Sequence, residues 1–290
     1  SQMVATLNAA GLDLATFGNH EFDFGGEVTR ERMRESRFTW ISSNVLDPVT
    51  GLPFGGAVPF VLRESGGIRV AFIGLVTPET HTLSMGAAGL KFLDPIQAAK
   101  EVVARARRAK ADLIVALTHQ DMADDKQLAA AVPEIDVILG GHEHVPLDAR
   151  VGRTLILKTG SDAVSLGRID VTVTTSRGGR RVESKWELIP VTDQIPEMPE
   201  VAGLVKQYES LMAAQLDVVV GATSVPLDAR NELVRTQESA VGNLITDLMR
   251  AALQADVALI NGGGIRGNTV LPTGQLRRRD VLTILPFADK

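Results

Sequence analysis

The sequence predicts a mixed α/β protein, with a layered α/β domain followed by a second, smaller α/β domain. Its 290 residues suffice for about two domains at ~150 residues each. Short apolar runs alternate with helix-like stretches over the first two thirds, the pattern of layered α/β domains. With 44% hydrophobic and 22% charged residues, the composition is that of a globular protein. Both domains are therefore expected to bury a core.

Charge and cysteine content exclude several classes of function. The net charge is −5 and the chain has no cysteine. A general nucleic-acid-binding surface is not expected, and disulfide frameworks, thiolate zinc sites and cysteine nucleophiles are excluded. No apolar run approaches the ~20 residues that span a bilayer, so no membrane span is predicted.

Six short apolar runs predict the strands of the first domain. They are residues 12–17, 39–45, 69–76, 113–117, 137–139 and 155–158. Residues 95–109 predict an amphipathic helix that covers a sheet, and residues 3–10 the last turns of another helix. Residues 166–191 alternate as two antiparallel strands do.

A domain boundary is predicted at residues 193–200, where Pro196 and Pro199 interrupt regular structure. The first domain is then 1–192 and the second 201–290. In the second domain, residues 201–216 and 240–253 predict helices, whereas 218–225, 256–260 and the apolar run after Arg277–Arg279 predict strands. Both ends of the chain are interpreted as lying within the fold, so the protein is expected to be truncated at each end.

Four of the five histidines follow apolar runs directly: His20, His119, His142 and His144. Ligands bind beyond the carboxyl ends of strands in α/β sheets, so these imidazoles are expected to converge. One such histidine would more often cap a loop or lie satisfied in a core. Four together favour a metal site, because neutral imidazole is a common metal ligand and a His-x-His pair directs both rings to one side. His81 lacks this setting and is interpreted as a surface or outer-sphere residue.

Asp23 follows His20 by three residues and is close enough to hold one of its ring nitrogens. Such a pair can offset charge or protonate a leaving group. The alternative is that Asp23 caps a helix or lies in a turn.

Several motifs together resemble one known family. The segments Gly18-Asn19-His20-Glu21-Phe22-Asp23, Thr118-His119 and Gly140-Gly141-His142-Glu143-His144 resemble the calcineurin-like metallophosphoesterases of the 5′-nucleotidase branch. The segments 235–243, 261–266 and 285–287 resemble the nucleotide-binding motifs of that family's C-terminal domain. The resemblance implies an α-β-β-α metallophosphoesterase domain, then an incomplete substrate-binding domain.

The resemblance also implies the site residues. The metal ligands would be Asn19, His119, His142 and His144, holding two divalent ions (Zn, Mn, Mg, Co or Fe). The catalytic pair would be His20 and Asp23. The nucleotide-binding residues would be Arg235, Asn261, Gly263, Gly264, Arg266 and Phe287, with Phe287 stacking on the base.

The implied activity is hydrolysis of nucleoside 5′-monophosphates by a water activated between two metals. Alternatives are hydrolysis of 2′,3′-cyclic nucleotides or nucleotide sugars, or nucleotide binding without turnover. The implied partner is a small nucleotide, not a nucleic-acid polymer, and the implied location is the periplasm, the cell wall or outside the cell.

Two metal motifs of the family precede its Gly-Asn-His-Glu segment, yet only seventeen residues precede Gly18 here. One of them supplies a bridging aspartate, which offsets the repulsion between two closely spaced cations. This chain is therefore expected to carry about half of a dinuclear site.

Residues 262–267 also match the Gly-x-Gly-x-x-Gly dinucleotide fingerprint. That fingerprint requires a helix to begin at the loop, and the turn-rich segment with Pro272 disfavours one. A plain β-turn with a solvated Arg266 stays open as an alternative.

Overall fold

The protein is described by a computed structural model over residues 2–176 and 179–286. It confirms the mixed α/β class. The strands are β1 (Leu14–Thr16), β2 (Thr39–Ile41), β3 (Val45–Leu46), β4 (Phe60–Ser65), β5 (Ile68–Val76), β6 (Lys91–Phe92), β7 (Leu113–His119), β8 (Val137–Gly140), β9 (Pro146–Val151), β10 (Thr154–Thr159), β11 (Ser165–Ser176), β12 (Gly179–Pro190), β13 (Val219–Thr223), β14 (Leu227–Asp228), β15 (Val270–Leu271) and β16 (Gly274–Arg277). The helices are α1 (Gln2–Ala9), α2 (Gly26–Glu35), α3 (Thr80–Leu83), α4 (Pro95–Arg108), α5 (Met122–Ala131), α6 (Pro199–Leu216), α7 (Asn231–Val234), α8 (Ala240–Leu253) and α9 (Arg278–Ile284).

A six-stranded sheet in the order β4-β5-β7-β8-β10-β9 organises the first part of the chain. Strands β5, β7, β8 and β10 run parallel, while β4 and β9 pair antiparallel at the edges. The register aligns Val76 with His119 and Lys158 with Gly140, so the parallel strands end along one edge of the sheet. The residues that follow β7 and β8 therefore lie close together at this edge.

Helix α4 covers one face of this sheet. Asp94 caps it by accepting a hydrogen bond from the Gln97 amide at 2.8 Å, and Pro95 occupies the first turn, where no amide donor is needed. Its apolar side packs into a buried cluster with β5, β7 and β8. Val102 and Val103 contribute most to holding this face, at roughly 1.5–3 kcal/mol for each fully buried valine.

The hairpin of β11 and β12 covers part of the opposite face, where Ile169, Val171 and Val182 pack against Leu113 and Val137. Strands β1 and β2 form a separate parallel pair beside an aromatic cluster. Phe17, Phe22 and Phe54 in that cluster are fully buried. The turn that carries Asn19 and His20 is therefore held on both sides, by the buried side chains of Phe17 and Phe22.

The chain divides into two units, residues 1–204 and 205–290. The second unit packs α8 against strands β14 and β15 around a small apolar core. Ser239 caps α8 by accepting a hydrogen bond from the Gly242 amide at 3.1 Å. The predicted boundary at 193–200 stays a prediction, although α6 already begins at Pro199.

Three local predictions were wrong. Residues 256–260 form no strand, and Val257 and Leu259 in that segment are exposed, so no burial favours pairing. The run after Arg277 forms helix α9, because Asp280 accepts a hydrogen bond from the Arg277 amide at 2.6 Å and starts a helix. The single strand predicted at 39–45 is two strands, β2 and β3.

Candidate active site

Strand ends bring the predicted metal ligands together. His119 is the last residue of β7, His142 follows β8, and Asn19 begins a short 3-10 helix (Asn19–Phe22) after β1. The ring centroids of His119 and His142 lie 5.0 Å apart, and Asn19 Oδ1 is 3.0 Å from His119 Nε2. His144 lies near enough for its charge to affect His119.

Two glycines allow the backbone to approach the His119 ring. A Cβ on Gly18 would lie 2.8 Å and 2.9 Å from two atoms of that ring, and a Cβ on Gly141 would lie 3.1 Å from Nδ1. His142 itself has a φ of 82°, a left-handed conformation that non-glycine residues rarely adopt. The cradle around His119 thus depends on small residues and a strained turn.

The environment of His119 keeps its imidazole neutral. Burial, together with the positive charges of His142, His20, Lys158 and His144, lowers its pKa from 6.5 to about 4. Metal coordination requires the neutral ring, so His119 is in its ligating form at neutral pH.

His20 and Asp23 form the predicted acid/base pair. His20 Nδ1 lies 2.8 Å from Asp23 Oδ2, and the Ser84 hydroxyl donates a 2.7 Å hydrogen bond to Asp23 Oδ1. Asp23 is therefore held through both carboxylate oxygens. Asp23 is the C-cap of the 3-10 helix and lies in a turn, so it caps no helix N-terminus, while the turn alternative describes its backbone correctly. The His20 side chain is 41% exposed and accessible to a substrate.

Two charged residues near the site escaped the sequence reasoning. Glu21 accepts a 2.5 Å hydrogen bond from the Gly18 amide, and burial raises its pKa. Lys158 is fully buried at the end of β10 and contacts the segments after β7 and β8. The sequence did hold a sign of this buried lysine, since Lys158 ends the apolar run 155–158 that was predicted to be a strand. A buried ammonium group is costly unless it is compensated, so a lysine in that position indicates nearby carboxylates or carbonyls.

The donors fit a divalent cation only in part. The amide oxygen of Asn19 and the imidazoles of His119 and His142 are neutral donors of the kind that Zn²⁺ or Mn²⁺ accepts. Over residues 2–176 and 179–286, no group of three or more His, Asp or Glu side chains is arranged to hold a metal ion. Two imidazoles and one amide oxygen therefore come together here, and the Asp121 carboxylate lies beside them, with Oδ1 3.6 Å from His142 Nε2.

Three of the candidate nucleotide-binding positions, Asn261, Gly263 and Arg235, lie on neighbouring segments of the second unit. Asn261 Oδ1 accepts a 3.2 Å hydrogen bond from the Gly263 amide at the start of a 3-10 turn (Gly262–Gly264). A Cβ on Gly262 would lie 2.2 Å from the Val234 carbonyl oxygen, so this turn packs directly beside Arg235.

Arg266 is held by a contact with the end of α9. The Arg266 amide donates to the Ile284 carbonyl at 2.8 Å, and the side chain is half-buried. Strand β15, not a helix, follows the glycine turn, so the dinucleotide fingerprint is not realised. Phe287 lies outside the described residues.

Two family models match the chain. The calcineurin-like phosphoesterase model matches residues 2–146, and the 5′-nucleotidase C-terminal domain model matches residues 219–290. The chain belongs to the calcineurin-like phosphoesterases. The order of the two models is the order that the motifs predicted.

The proteins most similar to this calcineurin-like phosphoesterase include nucleotide phosphoesterases and 5′-nucleotidases. The trifunctional nucleotide phosphoesterase protein YfkN of Bacillus subtilis is 30% identical, over 98% of this chain and 22% of its own length. A 5′-nucleotidase of Vibrio vulnificus is 27% identical, over 98% of this chain and 59% of its own. The crystal structure of a 5′-nucleotidase precursor from Thermus thermophilus matches with a TM-score of 0.84 at 27% identity, covering 97% of this chain and 59% of that one.

The chain spans between 22% and 60% of the length of the first curated relatives it matches. Its activity and its substrate are therefore matters of proposal. Among the described residues, no helix is long and apolar enough to cross a bilayer. Export from the cytoplasm stays a prediction from the family resemblance.

Proposed function

We propose that this phosphoesterase is a metal-dependent 5′-nucleotidase that releases phosphate from nucleoside 5′-monophosphates. The observation that carries the proposal is the meeting of Asn19, His119 and His142 at one sheet edge, with the His20–Asp23 pair on the adjoining turn. Neutral cation donors and a charged acid/base pair together suit phosphoester hydrolysis.

The proposed metal ligands of this chain are Asn19, His119, His142 and His144. We propose that they hold one ion of a pair. Divalent cations bound there would polarise the phosphate and lower the pKa of the attacking water. Within the chain, Gly18 and Gly141 fix the position of the His119 ring, and its low pKa prevents protons from competing for it near neutral pH.

His20 acts on the leaving oxygen in this proposal. Asp23 holds the ring through Nδ1, so a proton delivered to the substrate comes from Nε2. The Ser84 hydroxyl keeps the Asp23 carboxylate oriented toward the ring. A protonated His20 ring would then place positive charge where negative charge develops on the leaving oxygen.

The nucleoside would bind in the second unit through Arg235, Asn261, Arg266, Phe287 and the amides of Gly263 and Gly264. Arginine guanidinium groups suit phosphate and carboxylate oxygens, and a glycine turn lets backbone amides approach a ligand. The contact of the glycine turn with the segment of Arg235 supports this grouping.

A phosphate-release assay tests the proposal. The chain is incubated with adenosine, guanosine, cytidine and uridine 5′-monophosphates and Mn²⁺ or Zn²⁺, with 2′,3′-cyclic nucleotides and nucleotide sugars in parallel. We expect His119→Ala to lose at least about 100-fold in rate, on the scale of removing a metal or its activated water. His81→Ala is the control, because His81 lies on α3 and contacts the Pro78 carbonyl instead. Equal rates for wild type and His119→Ala would contradict the proposal.

One observation favours a second candidate, a nucleotide-binding module without turnover. Among the described residues, no three His, Asp or Glu side chains are arranged to hold an ion, although the Asp121 carboxylate lies 3.6 Å from His142 Nε2. Titration with Zn²⁺ separates the two functions, because one or two ions bound per chain favour the hydrolase and none favours the binding module.

A further inference from the structure

Lys158 is a charged residue with no role in the chemistry proposed above, yet its side chain is completely buried. An ammonium ion taken out of water is costly unless charges and hydrogen bonds compensate it. Its neighbours therefore indicate what the residue holds in place.

Two of these neighbours are backbone carbonyls that adjoin proposed metal ligands. Lys158 Nζ donates to the Gln120 carbonyl at 2.5 Å and to the Gly141 carbonyl at 2.9 Å. Gln120 directly follows His119, and Gly141 directly precedes His142. One ammonium group thus connects the segments that carry the two rings.

Two carboxylates compensate the charge. Asp125 Oδ2, on the first turns of α5, lies 3.0 Å from Lys158 Nζ and is itself fully buried. Glu143 also accepts a hydrogen bond from Lys158 and another from the Met122 amide at the start of α5. The lysine therefore links β10, α5 and the segment between β8 and His144.

The strand register fits this arrangement. Lys158 pairs with Gly140 on β8, and a Cβ on Gly140 would lie 2.9 Å from Lys158 Cε and 3.1 Å from Cγ. The lysine stem fills the space that any larger residue at 140 would need. The Gly141 amide also donates a hydrogen bond to the carbonyl of Thr118 in β7 at 2.8 Å, next to His119.

We propose that Lys158 is a positioning residue that ties the segment after β7 to the segment after β8 and so fixes the spacing of His119 and His142 for cation binding. The inference rests on the proposed metal site and adds a residue to it. Removing a residue that orients metal ligands without touching the metal typically lowers metal affinity 10- to 100-fold.

The test uses a variant that removes the tether together with its fully buried carboxylate, while the partly exposed Glu143 keeps its hydrogen bond from the Met122 amide. Lys158→Met combined with Asp125→Leu replaces the ion pair with apolar groups of similar size, a change that is often neutral for stability. The matched control is Asp136→Asn. Asp136 is a buried carboxylate just before β8 that accepts a 2.9 Å hydrogen bond from the Ile114 amide, at the opposite end of the same strands.

Hydrogen exchange of the metal-free protein, followed by mass spectrometry, provides the first measurement. We expect peptides covering 119–122 and 140–144 to exchange at least about tenfold faster in the double variant, because local opening is no longer resisted there. The control should match wild type in these peptides. Equal exchange in the double variant and wild type would overturn the proposal.

Calorimetric titration with Co²⁺ provides the second measurement. The Kd of the double variant should rise about 10- to 100-fold, while Asp136→Asn keeps the wild-type value even where it lowers stability. Faster exchange with an unchanged Kd would also overturn the proposal. If wild type binds no Co²⁺, the proposed metal-dependent function fails, and the exchange comparison alone decides the tether.

If the double variant does not fold, Gly140→Ala replaces it. This variant keeps both charges, and its methyl group would lie 2.9 Å from both Lys158 Cε and Asp125 Oδ2, so it disturbs the tether without removing it. A smaller loss of Co²⁺ affinity in the same direction supports the proposal, and wild-type affinity overturns it.

Discussion

The two candidate sites of this phosphoesterase are built in different ways. The histidine site lies at the ends of parallel strands, where His119 is packed between Gly18 and Gly141. The glycine turn of the second unit is held by local bonds, such as that between Asn261 and the Gly263 amide, and Asn261 and Arg235 are exposed. In the proposed function, the chemistry that needs fixed distances would lie at the end of the sheet, and nucleotide recognition on a turn that water reaches.

The largest difference between the two sites is expected in how each contributes to the pH dependence of the unfolding free energy. The pKa of His119 is about 4 in the folded protein against 6.5 for an unperturbed ring, chiefly through burial. The unfolded chain therefore binds more protons between these values, so stability is complete above pH 6.5 and declines as the pH falls toward 4. The decline amounts to about 3 kcal/mol. All five histidines precede the second unit, so its turn contributes nothing to this window.

Urea unfolding in EDTA at several pH values measures this effect in wild type and His119→Gln. The variant should lose most of the decline. An unchanged pH dependence in His119→Gln would show that burial of this ring does not govern it.

Alanine substitutions of one glycine in each site compare how tightly the two sites are packed. Gly18→Ala places a methyl group against the His119 ring, and we expect it to cost about 1–3 kcal/mol of unfolding free energy, as overpacking typically does. In Gly263→Ala the nearest atom is the amide of Asn261 at 3.3 Å, a side chain that can move. That variant should stay within about 0.5 kcal/mol of wild type. Chemical unfolding of both variants is the measurement, and equal costs would remove the distinction between the sites.

The smallest expected effect concerns the helix of the second unit. Ser239→Ala removes the cap of α8 and should cost about 1 kcal/mol, while Ser239→Asp should restore most of it. Ser210→Ala on α6 is the control, because Ser210 bonds only within its own helix turn. Thermal unfolding measures the difference. A loss at Ser239 no greater than at Ser210 would mean that the cap contributes little.

The sequence predicted the strands that matter for the site because their apolar runs are continuous and end at polar residues. Strand β7 even extends through His119, the residue chosen for its position after that run. The predicted approach of His20 and Asp23 required only a spacing of three residues. These features could be predicted because they depend on residues that are close together in the sequence.

Other features depended on contacts between distant segments. Lys158 and Glu21 are buried beside the site through partners that the sequence does not mark, including backbone groups of Gln120, Gly141 and Gly18. The strand predicted at 256–260 failed because apolar residues alone do not supply a pairing partner. Tertiary packing decided these cases, and local propensity could not.

The central claim is that His119 and His142 share a cation. Crystals of the protein soaked in Zn²⁺, with anomalous diffraction recorded at the zinc edge, test it most directly. The account predicts an anomalous peak within about 2.0–2.2 Å of His119 Nε2 and at coordination distance from a His142 ring nitrogen. A fully soaked crystal with no peak between these rings, or with a peak that touches neither, would contradict it.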